Sequence, residues 1–419
     1  MLTLQRRRLL QAGLATAGGA STLAYSNRVR AQALQPIEIP ILMSLSGFAE
    51  SMGSQVAKGS DLTAEYINSQ GGILGRQIKL RYFDDKGRPN DAAAAAREAI
   101  SAGFTLIGGG LLTSSILAVQ SILKEANAVM ISPSGSGVTF TSENYSPNLF
   151  NCMENDYLRA RSMAKVAAEK FPHITSWAGV FSDQSNYFQV YEIFSKFAAQ
   201  DYAAKGIKVT FAPPVTGKFG NPDWRTQVTQ LMNTNAEGLF HTVAGGDSLT
   251  FWQQARPMGI STRFKAVIDQ SLDFVFMKSL KRNMPNNLWT LVGWYPGLYK
   301  DNKMAQGYYD LYKSRTGDAY PSQFIQYGNF AVSVIASAIE AAKGKTDTAS
   351  IIAATEGLKL ETIKGPARIR KEDHLWIGDI NLVNYAPSDD DIGFKVVDSI
   401  KVSAEQILPP VNPGKPFTF

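Results

Sequence analysis

From residue 37 onward, strand-length apolar runs alternate with helix-length segments, and this alternation narrows the possible folds more than any other feature of the chain. A strand, a crossover helix and a second strand pack as a parallel sheet with helices on its faces. IEIPILMSL (37–45) reads as the first strand, and VAKGSDLTAEYINSQGG (56–72) as a helix with Leu62 and Tyr66 on one face and Gly71-Gly72 as its stop. IKLRYFDD (78–85) alternates Ile78, Leu80 and Tyr82 on one face, and PNDAAAAAREAISAG (89–103) is an alanine-rich helix opened by Pro89 and Asp91. FTLIGG (104–109), a helix over 114–127 and AVMISPSGSG (128–137) continue the series. Past residue 155 it restarts, with RARSMAKVAAEK, SWAGVFSD, NYFQVYEIFSKFAAQDYAAKG, IKVTFAPPV, DWRTQVTQLMNTN, GLFHTVAGG and DSLTFWQQARPMG in turn. Two such series in 419 residues, 44% of them hydrophobic, predict an α/β protein of two doubly wound, Rossmann-like lobes. No Pro/Ser-rich linker separates the series, so the connections are expected to be short, ordered and able to act as hinges.

The first 33 residues are of a different kind. Arg6, Arg7 and Arg8 precede an apolar, small-residue run from Leu9 to Ala24 and the stretch VRAQA ending at Ala33, the pattern of a cleaved export signal. Its core, Gln5-Arg6-Arg7-Arg8-Leu9-Leu10-Gln11, resembles the twin-arginine signal, with Gln11 where a lysine is usual. The run is short and glycine-rich against the roughly 20 strongly apolar residues that span a bilayer. No cysteine stands at the cleavage region to carry a lipid, so a soluble, unanchored exported protein is expected. Removing 1–33 lowers Lys+Arg from 42 to 37 against 36 Asp+Glu, so the basic character belongs to the signal and gives no nucleic-acid surface. Cys152 is the single cysteine, which excludes an internal disulfide and suits a buried small side chain.

IGGGLLTSSILAVQ (107–120) places three glycines at a strand end and hydroxyl residues at a helix start. It lacks the last glycine of the dinucleotide fingerprint, where Thr113 stands, and the Gly-Lys-Ser/Thr ending of a phosphate-cradling loop. What remains is a hydroxyl-lined helix N-terminus suited to a carboxylate or carbonyl oxygen, unless Thr113 or Ser114 merely caps its own helix.

The order of segments resembles a known family. SLSGFAESMGSQVAKGSDLTAEYINSQGGILGRQIKLRYFDDKGRPNDAAAAAREAI, followed by IGGGLLTSSILAVQSILKEANAVMISPSGS, DQSNYF, GGDSLTFWQQARPMGI, FIQYGNFAVSVIASAIEAAKG and IKGPARI, is similar to the type I periplasmic solute-binding proteins of ABC transporters, in the Leu/Ile/Val-binding protein family. The likeness covers nearly all of the chain after the signal. It implies lobe 1 over 36–155 plus 290–363, lobe 2 over 156–289 plus 364–419, and three crossings near Asn155, Trp289 and Gly365. It also implies capture of a small-molecule ligand between closing lobes for an ABC importer. The partners would be permease and ATPase subunits in the inner membrane, with a monomer expected and no cofactor or metal. A ligand-sensing periplasmic subunit of a membrane receptor is the alternative.

Carried over residue by residue, the resemblance places ligand contacts at Thr113 and Ser114, then at Ser134, Gly135 and Ser136 where related proteins bind a carboxylate. Met52 falls at an aromatic wall position and Tyr187 at an aromatic that closes from the second lobe. Trp294 and Tyr295 lie near the second crossing. Ala244 or Gly245 occupies the place of a tyrosine in amino-acid binders, and Asp269 lies within one position of the acid that would take an ammonium. The expected solute bears a carboxylate or amide, with a branched-chain or other apolar amino acid favoured over an acid lacking an amine. Catalysis is not expected. His173, His241 and His374 have no nucleophile or metal-ligand motif around them and read as structural or surface residues, and the pairs at Asp84-Asp85 and Asp389-Asp390-Asp391 suit loop chemistry.

Overall fold

The computed structural model describes residues 34–419 apart from Ala244, with only the backbone of Ser185 and Arg282. The export-signal reading of 1–33 and the expectation for Ala244 lie outside the described residues. The first sheet is built from β1 (Ile37–Met43), β2 (Ile78–Asp84), β3 (Leu106–Gly109), β4 (Val129–Ser132) and β5 (Leu149–Asn151), all parallel, in the order β2-β1-β3-β4-β5. The helices α1 (Glu50–Ser69), α2 (Pro89–Ser101) and α3 (Thr113–Leu123) connect them. β3 and β4 are buried along their whole length, as strands covered on both faces must be.

The second sheet collects the chain from α4 (Asp156–Lys170) onward through β6 (Ser176–Ser182), α5 (Ser185–Ala203), β7 (Thr210–Phe211), β8 (Val215–Gly217), α6 (Arg225–Met232), β9 (Gly238–Thr242), α7 (Gly245–Ala255), α8 (Ile260–Arg263), β10 (Ala266–Asp269), α9 (Phe274–Leu280) and β11 (Leu288–Val292). The chain then returns to the first sheet as α10 (Lys303–Thr316), α11 (Gln323–Ala341) and α12 (Thr348–Thr355), and forms a small antiparallel sheet of β12 (Lys359–Thr362), β13 (Gly365–Ile369) and β14 (Trp376–Ile377). It then adds β15 (Asp379–Pro387) antiparallel to β11 and, as the second arm of a hairpin, β16 (Phe394–Ser403) antiparallel to β15. Two doubly wound lobes therefore share one chain that passes between them three times.

Two departures from the sequence reading have local causes. α1 begins at Glu50, six residues earlier than its apolar face announces, because Gly53 is not a break: a Cβ there would overlap the Ser44 carbonyl, and its absence lets the helix lie against the end of β1. IKVTFAPPV gives only the short β7 and β8, since Pro213 and Pro214 between them remove two ladder donors. Trp289, near which the second crossing is expected, pairs with Ile268 and Asn384 in β11, three residues before that strand ends.

α11 is pinned to α1 by small residues. A Cβ on Gly59 would overlap the Ile325 carbonyl and one on Gly328 the Val56 carbonyl, so the two backbones touch. Tyr308 Oη donates to the Gly59 carbonyl at 3.1 Å and Asn329 Nδ2 to Thr63 Oγ1 at 3.0 Å, which fixes the helix that carries Gln323, Phe324 and Tyr327. Among the described residues no helix is long and apolar enough to cross a membrane.

Candidate functional site

The carboxyl ends of β3, β4, β9 and β10 open toward one cavity of about 270 Å³, where ligands bind in open wound sheets. Its first wall comes from the glycine turn. Gly109 and Gly110 take φ of 96° and 86°, which lets the chain fold back so that the Gly110 amide donates to the Leu42 carbonyl at 2.8 Å. α3 then starts at Thr113 with Leu112 as its N-cap and no side-chain cap, so neither Thr113 nor Ser114 caps its own helix. Ser134 Oγ donates to the Leu111 carbonyl at 2.7 Å, and Asn151 Nδ2 donates to the Ser134 carbonyl, tying the β3 and β4 loops together. Among the described residues, the amides of Thr113, Ser114, Gly135 and Ser136 find no acceptor in the protein, and neither does the Thr113 hydroxyl. Thr113, Gly135 and Ser136 line the cavity.

The second wall begins at the start of α4. Asn155 caps α4 by accepting from the Leu158 amide at 3.0 Å, and one turn later Arg159 lines the cavity with 7% of its surface exposed. Its Nε is buried without a hydrogen-bond partner, and no carboxylate of the described residues lies in ion-pair contact with it. Asp156, three residues earlier, is buried; burial pushes its carboxyl above the usual carboxylate range, against the pull of Arg159 and of hydrogen bonds from Ser136, Gln270 and Asn186. Gln270 Nε2 donates to Asp156 Oδ1 at 3.3 Å. Tyr187, on α5, has its hydroxyl pushed up to about 12 by burial, with Asp156 adding to the shift and Arg159 opposing it. Phe276, Phe324 and Tyr327 supply apolar and aromatic surface.

Of the residues expected from sequence, Met52, Thr113, Ser134, Gly135, Ser136, Tyr187 and Gly245 surround this cavity, and Ser114 is exposed beside it. Asp269 is placed elsewhere. It is fully buried, with Oδ1 taking the Ser271 and Leu272 amides at 2.5 Å and Oδ2 lying 2.5 Å from His241 Nδ1, so its carboxylate is turned into the lobe and its neighbours Gln270 and Ser271 reach the cavity instead. Tyr295 packs on Phe274 at 6.0 Å between ring centres, in the second-lobe core, and Trp294 is fully buried in the first-lobe core. His374 is not a surface residue: it is buried, stacked on Phe150 at 3.9 Å, with Nδ1 2.8 Å from the Leu149 carbonyl oxygen. Asp84 and Asp85 hold their own loop, taking the Leu45 amide at 2.9 Å and the Ser44 hydroxyl at 2.5 Å. Arg159, Gln270, Gln323 and Tyr327 were not expected; α4 opens as Asp-Tyr-Leu-Arg-Ala-Arg, and nothing in that run separates the cavity residue Arg159 from Arg161, which pairs with Asp201.

A model of the periplasmic binding proteins matches residues 36–390. The chain belongs to that family. It is 26% identical over 240 residues to Leu/Ile/Val-binding protein homolog 3 of Brucella melitensis, a match that spans 55% of this chain and 61% of the relative's length. It is 24% identical over 363 residues to the leucine-, isoleucine-, valine-, threonine- and alanine-binding protein of Pseudomonas aeruginosa, covering 86% of this chain and 90% of the other. The solute binding protein of an ABC transporter from Rhodopseudomonas palustris, solved in complex with 3,4-dihydroxybenzoic acid, has the same fold with a TM-score of 0.73, 20% identity and coverage of 88% and 98% of the two chains.

Proposed function

We propose that this periplasmic binding protein is the extracytoplasmic capture subunit of an ABC importer. It holds one small carboxylate- or amide-bearing solute between its lobes and delivers it to permease and ATPase subunits of the inner membrane. The observation that carries the reading is the convergence of unengaged donors from the first wall with Arg159 and Gln270 from the second on a single cavity. Unpaired amides at a helix start and a hydroxyl suit an oxyanion, and groups from both lobes can hold it only when the lobes are together. Membership of the periplasmic binding proteins supports binding rather than catalysis. The relatives named for branched-chain amino acids and the structure holding an aromatic acid bracket the solutes to try.

A thermal-shift screen of the protein without residues 1–33, against amino acids, their amides, and aliphatic and aromatic acids, tests the proposal. A true ligand at a hundredfold excess over its Kd adds about 2.7 kcal/mol to apparent stability by mass action. Failure of every member of these classes to raise the midpoint would reject the reading.

A further inference from the structure

We propose that Arg159 is the countercharge for the ligand's carboxylate, and that the cavity therefore selects monoanionic acids with an apolar body over zwitterionic amino acids. This rests on the capture reading above and names its substrate class. Arg159 is 93% buried by its 7% exposure, lines the cavity, has its Nε buried without a hydrogen-bond partner and stands in no ion-pair contact among the described residues, the buried Asp156 being a carboxylate that feels its charge. A buried cation left without a partner is costly, and an incoming anion removes that cost. Arg159 lines the same cavity as Gly135 and Ser136, and the Asp156 amide, three residues before it, ties the start of α4 to the first-wall loop by donating to the Ser136 carbonyl at 2.6 Å. A carboxylate seated on the Gly135 and Ser136 amides thus lies beside it.

An ammonium has no equivalent partner. Among the described residues no carboxylate lines the cavity. Asp269 is occupied by two amides and His241, and Asp156 is occupied by Gln270 and Ser136. A zwitterion would satisfy the cation and bury its own ammonium among Met52, Leu111, Phe276 and Phe324. Removing the ammonium from the same skeleton leaves a ligand that matches the site in both charge and apolar surface.

The test uses pairs that differ only in the amine: leucine against 4-methylpentanoate, and phenylalanine against 3-phenylpropanoate, titrated by calorimetry. The acid of at least one pair should bind at least tenfold more tightly than its amino acid. Arg159→Gln should weaken that acid ten- to a hundredfold, and Arg159→Lys should restore part of the loss, while ligand-free Arg159→Gln still melts in one cooperative transition. Amino acids binding more tightly than their acids, or acids unaffected by Arg159→Gln, would overturn the inference and leave capture standing. Silence from all four compounds, and from every acid, amino acid and amide in the wider screen, would overturn both.

Discussion

At the scale of single residues, what the cavity can offer a ligand depends on which polar atoms the fold has already engaged. Thr113 and Ser134 look alike in sequence, each a hydroxyl at the end of a strand, yet only Ser134 has its proton committed, to the Leu111 carbonyl at 2.7 Å. Thr113→Ala should therefore weaken ligand binding by about 1.5–3 kcal/mol, roughly ten- to a hundredfold in calorimetry. Ser134→Ala should instead cost about 0.5–1.5 kcal/mol of folding stability, read by urea titration, with the affinity little changed. Cys152 is fully buried, and burial alone pushes its thiol well above the ordinary range. A thiol reagent such as Ellman's should stay silent on the native protein and report one thiol per chain in denaturant; rapid native labelling would contradict that burial. Thr113 stood out as a candidate because glycine and hydroxyl residues at a strand end declare local chemistry, whereas Ser134 and Ser136 were named only through the family resemblance. Arg159 and Gln270 act through tertiary placement, and the acid beside Gln270 faces inward because a strand's alternation points one neighbour to the core and the next to the cavity.

At the scale of elements, the βα alternation carried most of the first sheet and the start of the second, since buried parallel strands and their helices announce themselves by composition. The closing hairpin β15–β16 and the three short strands before it gave no such signal: β16 is exposed or half-buried along most of its length, β15 mixes Asp and Asn into a largely buried strand, and the other three are two to five residues long. The contact of α1 with α11 was equally hidden, because glycine at Gly59 and Gly328 reads as weakness within a helix until the partner helix is known. Gly328→Ala should destabilise by about 1–3 kcal/mol, as overpacking does, because the atoms met by the new methyl belong to the α1 backbone; urea denaturation checks this. A second element contact is titratable. Asp273, at the start of α9, accepts the Gln323 amide at 2.9 Å at the start of α11, and burial pushes its carboxyl from 3.8 up to about 6. Between those values the folded protein keeps a proton that the unfolded chain has released, so this group's contribution to stability falls as pH rises through that window and is level above it. The difference is at most about 3 kcal/mol, and Asp273→Asn should flatten the wild-type stability profile between pH 4 and 6 by part of that amount. Identical profiles for the two proteins would show that the carboxyl keeps its ordinary value.

At the scale of the whole molecule, the account turns on relative movement of two lobes about three strands of chain, with boundaries proposed near Asn155, after Val292 and near Gly365. The buried ion pair of Lys364 with Glu154 joins the first and third of these passages, both side chains being under 7% exposed. Glu154→Gln leaves the lysine uncompensated and should cost about 3–5 kcal/mol, measured by calorimetric melting. The central claim is that a solute bridges the lobes, and small-angle scattering tests it most directly. The protein without residues 1–33 is measured alone and with a saturating amount of whichever solute gives the largest thermal shift. A smaller radius of gyration with the solute, at one bound molecule per chain, is the expected result, because contacts from both walls favour the closed population. An unchanged radius at full occupancy would contradict the account.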